Sequence, residues 1–342
     1  MKRWSMAAFI LLAAMVGQAA AQQLIGIEAL RTKNAISDVE AKQLYDILLK
    51  AADAMVTNTD PDRKGMVANR EAIVAESKND TQTPAFRQAF GEQAARALAA
   101  VDKKAVGEAA RVNLLMAAAE LKRPELIPML ISGLEREPWE ASRYWCAKGL
   151  SMAGDVVVER NLARVQSDMA DAAAKAFQVD QPDVVALQLF EMLGKFDDER
   201  WHDVLVDGVT RYVQRAPASD PIVAQSLVGV VSALERAYSR EVRPEAKTRI
   251  LSALATLCAW VMPPVGQPTL MARLNASLEL ITNDRVGFLA TDEAVTQKMS
   301  LMEWVEKLFR DKRIPKRPTL PPAIEDATKS FKQSSTAPAA TP

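Results

Sequence analysis

The only histidine in the chain is His202, beside Trp201 and just after the acidic run Asp197-Asp198-Glu199. Histidine serves as a general base or a metal ligand, and both roles need company. A zinc site of ordinary type takes several His or Cys ligands, and neither a second histidine nor a nearby cysteine is present. General-base work needs an orienting partner within hydrogen-bond reach, which spacing alone does not supply here. The acidic run is a candidate cation site, but carboxylates opening a helix stabilise its positive end, and that is the preferred reading. Cys146 and Cys258 are the only cysteines. A bridge requires Cα atoms within about 7 Å. Both lie in apolar helical patterns far apart in sequence, so two small buried thiols are expected. Nucleophile elbow, phosphate loop, dinucleotide fingerprint and zinc-protease motifs are all missing, and glycine is too sparse for a phosphate cradle. No catalytic, cofactor-binding or metal-binding residue is assigned, and no cofactor is expected.

Recognition chemistry is better represented. Trp139, Arg143, Tyr144 and Trp145 combine the residue types that dominate binding hot spots. Trp139 and Arg143 are one helical turn apart, at the spacing of a cation–π contact. The competing reading is packing between neighbouring helices. Near the C-terminus, Pro315, Lys316, Arg317 and Pro318, followed by Pro321, form a basic polyproline-type segment of the kind that docks on an acidic groove. A plain solvated tail is the alternative. Asn79 and Asn275 stand in glycosylation sequons, a motif frequent by chance.

These residues need elements to hold them. In the stretch 124–154, Leu126, Ile127, Leu130, Ile131 and Leu134 recur at helical spacing behind Pro124. Glu137-Pro138 breaks that run, since a residue before proline leaves the α region. A second helix follows with Trp139, Cys146, Ala147, Leu150 and Ala153 on one side, and Gly154 is read as its C-terminal cap. Two short amphipathic helices cannot bury their stripes alone and need similar neighbours. The order of a proline-led apolar helix, a charged turn, then Arg143, Cys146, Ala147, Gly149, Leu150 and Gly154 resembles a HEAT repeat. That resemblance implies an α-solenoid, generally a scaffold or adaptor, and carries no active site.

Looser copies fill the rest. Ser37 and Glu40 form a capping box opening a helix to about Met55. Asp60-Pro61 opens a second, reaching about Ser77, and Thr83-Pro84 a third. A fourth covers about Ala105–Leu121 and places Arg111 where Arg143 stands. A long helix is expected over Asp155–Phe177, then one ending at Gly194, one opened by Asp197-Asp198-Glu199, and others led by Pro221, Pro244, Thr269 and Thr291. Proline-led starts at Pro84, Pro124, Pro182, Pro221 and Pro268 fall roughly 40 residues apart or a little over, with an extra helix in the 124–182 interval. That is the HEAT and armadillo period. No β-branched alternation is sustained, so no sheet is expected.

The expected architecture is all-α: an α-α superhelix of stacked antiparallel helix pairs, HEAT-like, with a disordered C-terminal tail. Its parts are a signal peptide at 1–21, a linker at 22–36, an N-terminal helical region at 37–104, HEAT-like repeats at 105–311 and the tail at 312–342. Lys2 and Arg3, the apolar run Met6–Val16 and Ala19-Ala20-Ala21 have the order of a secretory signal. The run is shorter than the roughly 20 residues of a membrane span. The mature chain is therefore expected to be exported, periplasmic or extracellular, without a stable span. Equal counts of 43 basic and 43 acidic residues leave no field to draw nucleic acid. The functional expectation is a non-enzymatic interaction or scaffold module for another envelope protein. An envelope enzyme or enzyme subunit with a pocket between helices, and a purely structural protein, are the alternatives.

Overall fold

The computed structural model describes residues 24, 26–57, 63–179, 183–196, 199–215, 221–262, 268–283, 292–320, 322, 325, 326, 329 and 330. The signal segment, Asp60-Pro61, Pro182, Asp197-Asp198, Thr291, Pro321 and residues 331–342 lie outside them. Among the described residues the chain is all-helical, with fourteen α-helices and no strand. None of these helices is long and apolar enough to cross a membrane.

The chain divides into two compact units, 1–169 and 170–342. The first holds α1 (Glu28–Arg31), α2 (Asp38–Thr57), α3 (Lys64–Ser77), α4 (Pro84–Val101), α5 (Glu108–Leu121), α6 (Ile127–Arg136) and α7 (Glu140–Glu159). A 3-10 turn, Pro124–Leu126, leads into α6. Alternate helices stack: α2 packs on α4 and α4 on the 3-10 turn, while α3 packs on α5 and α5 on α7. Two layers result, tied by the pairs α2–α3 and α6–α7.

α8 (Ala163–Ala176) spans the division between the units. The second unit continues with α9 (Asp183–Leu193), α10 (Glu199–Arg215), α11 (Pro221–Arg240), α12 (Pro244–Trp260), α13 (Pro268–Thr282) and α14 (Ala294–Arg310). Here α9, α11 and α13 form one layer, and α10, α12 and α14 the other. Each unit is thus a stack of helix pairs, in which every amphipathic helix buries its stripe against the next pair.

Polar contacts between stacked helices join residues several tens of positions apart. Arg70 reaches Asn113 across 43 residues, Lys78 reaches Glu120 across 42, and His202 meets Glu241 across 39. Arg273 pairs with Glu235 across 38 and Lys298 bonds the Cys258 carbonyl across 40.

Local signals act as their chemistry dictates. The Ser37 N–H donates to Glu40 Oε2 at 2.9 Å while the Glu40 N–H points back to Ser37 Oγ at 3.4 Å. Thr83 Oγ1 accepts from the Phe86 N–H at 3.2 Å, with Pro84 at the first position of α4. α9 ends at Leu193 and Gly194 follows, as the glycine suggests.

Four expectations are corrected. The linker is packed in its described part: Leu24, Ile27 and Leu30 are buried, α1 forms, and Arg31 grips Glu76 with two bonds of 2.7 and 2.6 Å. Gly154 does not end α7, which runs on to Glu159. Val157 continues the buried stripe, and the chain turns only where Asn161 takes φ +51, a left-handed conformation asparagine tolerates. The single helix expected over 155–177 is therefore split between α7 and α8. The tail does not begin at 312, because Ile314 is buried and the Arg313 N–H bonds the Leu308 carbonyl at 2.9 Å, folding 312–317 back on α14.

Packing is tight enough in the second unit to test directly. A Cβ on Gly208 of α10 would stand 2.6 Å from Phe177 Cε2 and 3.0 Å from Phe190 Cε1. Those rings are buried and stacked at 4.8 Å between centroids, with little room to move. Gly208→Ala should therefore destabilise by about 1–3 kcal/mol despite alanine's better helix propensity. A chemical denaturation midpoint unchanged or raised would contradict the packing.

Candidate functional site

α7 begins at Glu140 with Trp139 as the residue before it, in extended conformation at φ −90, ψ 133. Trp139 is therefore not on the helical stripe with Cys146 and Ala147; it stands half-exposed at the entrance. Arg143 does not lie over it. The Arg143 guanidinium donates instead to the carbonyls of Glu137 and Pro138, at 3.0 and 3.4 Å, and so closes the turn from α6 to α7. Arg111, aligned with Arg143 by sequence, meets the same turn: it pairs with the Glu137 carboxylate at 2.6 Å and with Asp102 at 2.7 Å. Both arginines hold the same corner, one by backbone and one by side chain. Arg143 is thus a positioning residue.

Tyr144 and Trp145 are partly buried on the following turn, with rings edge-on at 5.5 Å. Lys148 lies over both, its Nζ 4.6 Å from the Trp145 centroid and 5.5 Å from that of Tyr144. Lys148 is the cation that sequence reasoning missed: it is four residues after Tyr144 and three after Trp145, the spacing at which helical side chains meet. Beneath them Cys146, Ala147 and Leu150 are buried against the stack. The outward side of α7 therefore carries an aromatic ridge whose rings are already ordered by one another and by a cation. Such rings offer large contact area with little further entropy to lose.

The other sequence candidates are placed elsewhere. Pro315, Lys316, Arg317 and Pro318 follow α14, and Arg317 is occupied by its own chain. Its guanidinium stacks 4.3 Å from the Phe309 centroid and bonds Glu306 at 3.0 Å. Cys146 and Cys258 are both buried free thiols. Burial pushes the Cys146 thiol well above its ordinary value and that of Cys258 up to about 12, so neither is a ready nucleophile.

His202 does have the orienting partner that spacing could not show. Its Nδ1 stands 2.8 Å from Glu241 Oε2, and the carboxylate, which only accepts, assigns the proton to Nδ1. Glu241 also accepts from the Val242 and Arg243 N–H groups at 3.0 and 2.9 Å and from the Arg243 guanidinium at 2.8 Å. His202 is 2% exposed and Glu241 1%, so the pair is closed to any substrate and joins α10 to the α11–α12 corner instead. Among the described residues no group of three or more His, Cys, Asp or Glu gathers as a metal site would require. Comparison with known protein families and with curated proteins gave no match to this chain.

Proposed function

We propose that the chain is a non-enzymatic binding or scaffold module of HEAT-like kind, exported to the cell envelope, which captures another envelope protein on the outer side of α7. The observation that carries this reading is the partly exposed Tyr144–Trp145–Lys148 cluster. Helices in a stack bury their aromatics when these serve packing alone, as Phe86, Phe90, Phe190 and Trp260 do here. Tyr144 and Trp145 instead keep part of their surface open while the small residues Cys146 and Ala147 meet the core. Aromatic anchors of this kind concentrate binding energy when a partner buries the rest of the ring. Export is supported by the order of Lys2, Arg3, the apolar run from Met6 to Val16 and the alanines at 19–21.

The test is capture by the immobilised mature chain from an envelope extract, set against the double substitution Tyr144→Ala and Trp145→Ala. A protein retained at fixed stoichiometry by the unaltered chain and lost by the variant is the expected outcome. Equal retention by both would overturn the reading, and so would turnover of an envelope substrate by the purified chain.

A further inference from the structure

A polar cleft of about 420 Å³ opens in the first unit, where the start of α4, the 3-10 turn and the end of α7 meet. Its lining comes from all three elements: Arg87, Gln88 and Glu92 on α4, Arg123 and Glu125 at the turn, and Arg160 just past α7. Among the described residues no aromatic or aliphatic side chain other than Pro84 borders it. Three guanidinium groups thus share one cavity in a chain whose basic and acidic residues are otherwise balanced, at 43 each.

Their roles differ. Arg123 is fixed: its Nε and Nη2 donate to the two Glu125 oxygens at 3.2 and 3.0 Å. It also lies across α4 at Gly91, where a Cβ would come within 2.8 Å of Nη1. Glycine at that helical position leaves room for the guanidinium to lie close to the helix. The carboxylate of Glu92 is engaged by the Gln88 amide at 3.0 Å. Arg87 and Arg160 are exposed, and neither side chain is paired within the described residues. The start of α4 adds the positive end of an eighteen-residue helix.

We infer that this cleft binds an acidic peptide segment of a partner protein, with carboxylates seated on Arg87 and Arg160. The choice of ligand follows from the mixed lining. A fully ionised phosphate ester offers only acceptor oxygens and would face Glu92 and Glu125 without a proton to share. A peptide brings spaced carboxylates for the two open guanidinium groups and backbone N–H donors for Glu92 and Gln88. The cavity has the size of an ordinary ligand site, which spans roughly 300–1,000 Å³, and exceeds what one small anion fills. This goes beyond the α7 ridge: it concerns other residues, and either site can fail without the other.

The probe is a fluorescein-labelled hexaglutamate peptide, followed by anisotropy with the full mature chain at low salt and with hexaglutamine as the neutral control. Binding of hexaglutamate but not hexaglutamine is expected, weakened about tenfold by the pair Arg87→Gln and Arg160→Gln and reduced on raising salt. The pair Lys50→Gln and Lys103→Gln, exposed and away from the cleft, should leave binding unchanged. Equal affinity for the two peptides would overturn the inference, as would indifference to the arginine pair or equal loss with the lysine pair. Full displacement by equimolar inorganic phosphate would assign the cleft to small anions and overturn it too.

Discussion

Glu241→Ala is expected to lower the stability of the second unit by about 2–4 kcal/mol, because it leaves buried donors without their acceptor. Five hydrogen-bond contacts converge on this carboxylate, from His202, two backbone N–H groups and two atoms of Arg243. Its removal strands the His202 Nδ1–H in a site that is 2% exposed, where Nε2 already makes no hydrogen bond. The same residue sets an acid dependence. The Arg243 guanidinium first, with the Arg243 N–H and His202, holds the Glu241 carboxyl far below the usual carboxylate range, against the opposing pull of burial. A carboxyl depressed in the folded state contributes stability that is fully present above its unfolded value, about 4.3 for glutamate. That contribution is lost as pH falls through this value toward the folded one. Urea unfolding at pH 7 and at pH 4 should show a steeper acid loss for the unaltered chain than for Glu241→Gln. Parallel acid slopes would contradict the assignment.

Lys298→Met is the second large effect. The Lys298 ammonium is fully buried and donates to the carbonyls of Cys258 and Ala259 at 2.6 and 2.8 Å. These are among the last carbonyls of α12, which have no intrahelical partner, and the cation also complements the negative end of that helix. Methionine keeps much of the stem's volume but leaves two buried acceptors unmade, each costing about 1–3 kcal/mol. Relief from dehydrating the ammonium offsets part of this, so a net loss of about 2–4 kcal/mol is expected in a denaturant titration. A neutral or stabilising result would mean that the α12 carbonyls find other donors and that Lys298 is not their cap.

The helices were legible because their signals are local. The Ser37–Glu40 box, the Thr83 cap, the prolines at 84, 221, 244 and 268 and the apolar stripes act within one or two turns. Where local signals compete, sequence reading misplaced the boundary: Gly154 looked like a stop, but Val157 carries the buried stripe past it and Asn161 makes the turn. The long-range polar contacts depend on partners some forty residues away. His202 looked alone because Glu241 lies 39 residues on, and the docking of α1 turns on Arg31 finding Glu76 at a distance of 45. The cleft draws its arginines from three elements, so no periodicity or motif announces it. Within α7 the ridge was half legible. Tyr144 and Trp145 stand together on α7, whereas Arg143 turns to the corner at Glu137 and the cation over the rings is Lys148.

The binding reading of α7 turns on whether its partly exposed aromatics are spare to the fold. The direct measurement is thermal unfolding of the Tyr144→Ala, Trp145→Ala chain, made alongside its capture of an envelope protein. The expected result is a melting temperature within about 1 °C of the unaltered chain, a shift of under about 1 kcal/mol for a protein of this size, together with loss of the captured protein. A fall several times larger, with capture intact, would show that the ridge belongs to the packing of the stack and would contradict the binding assignment.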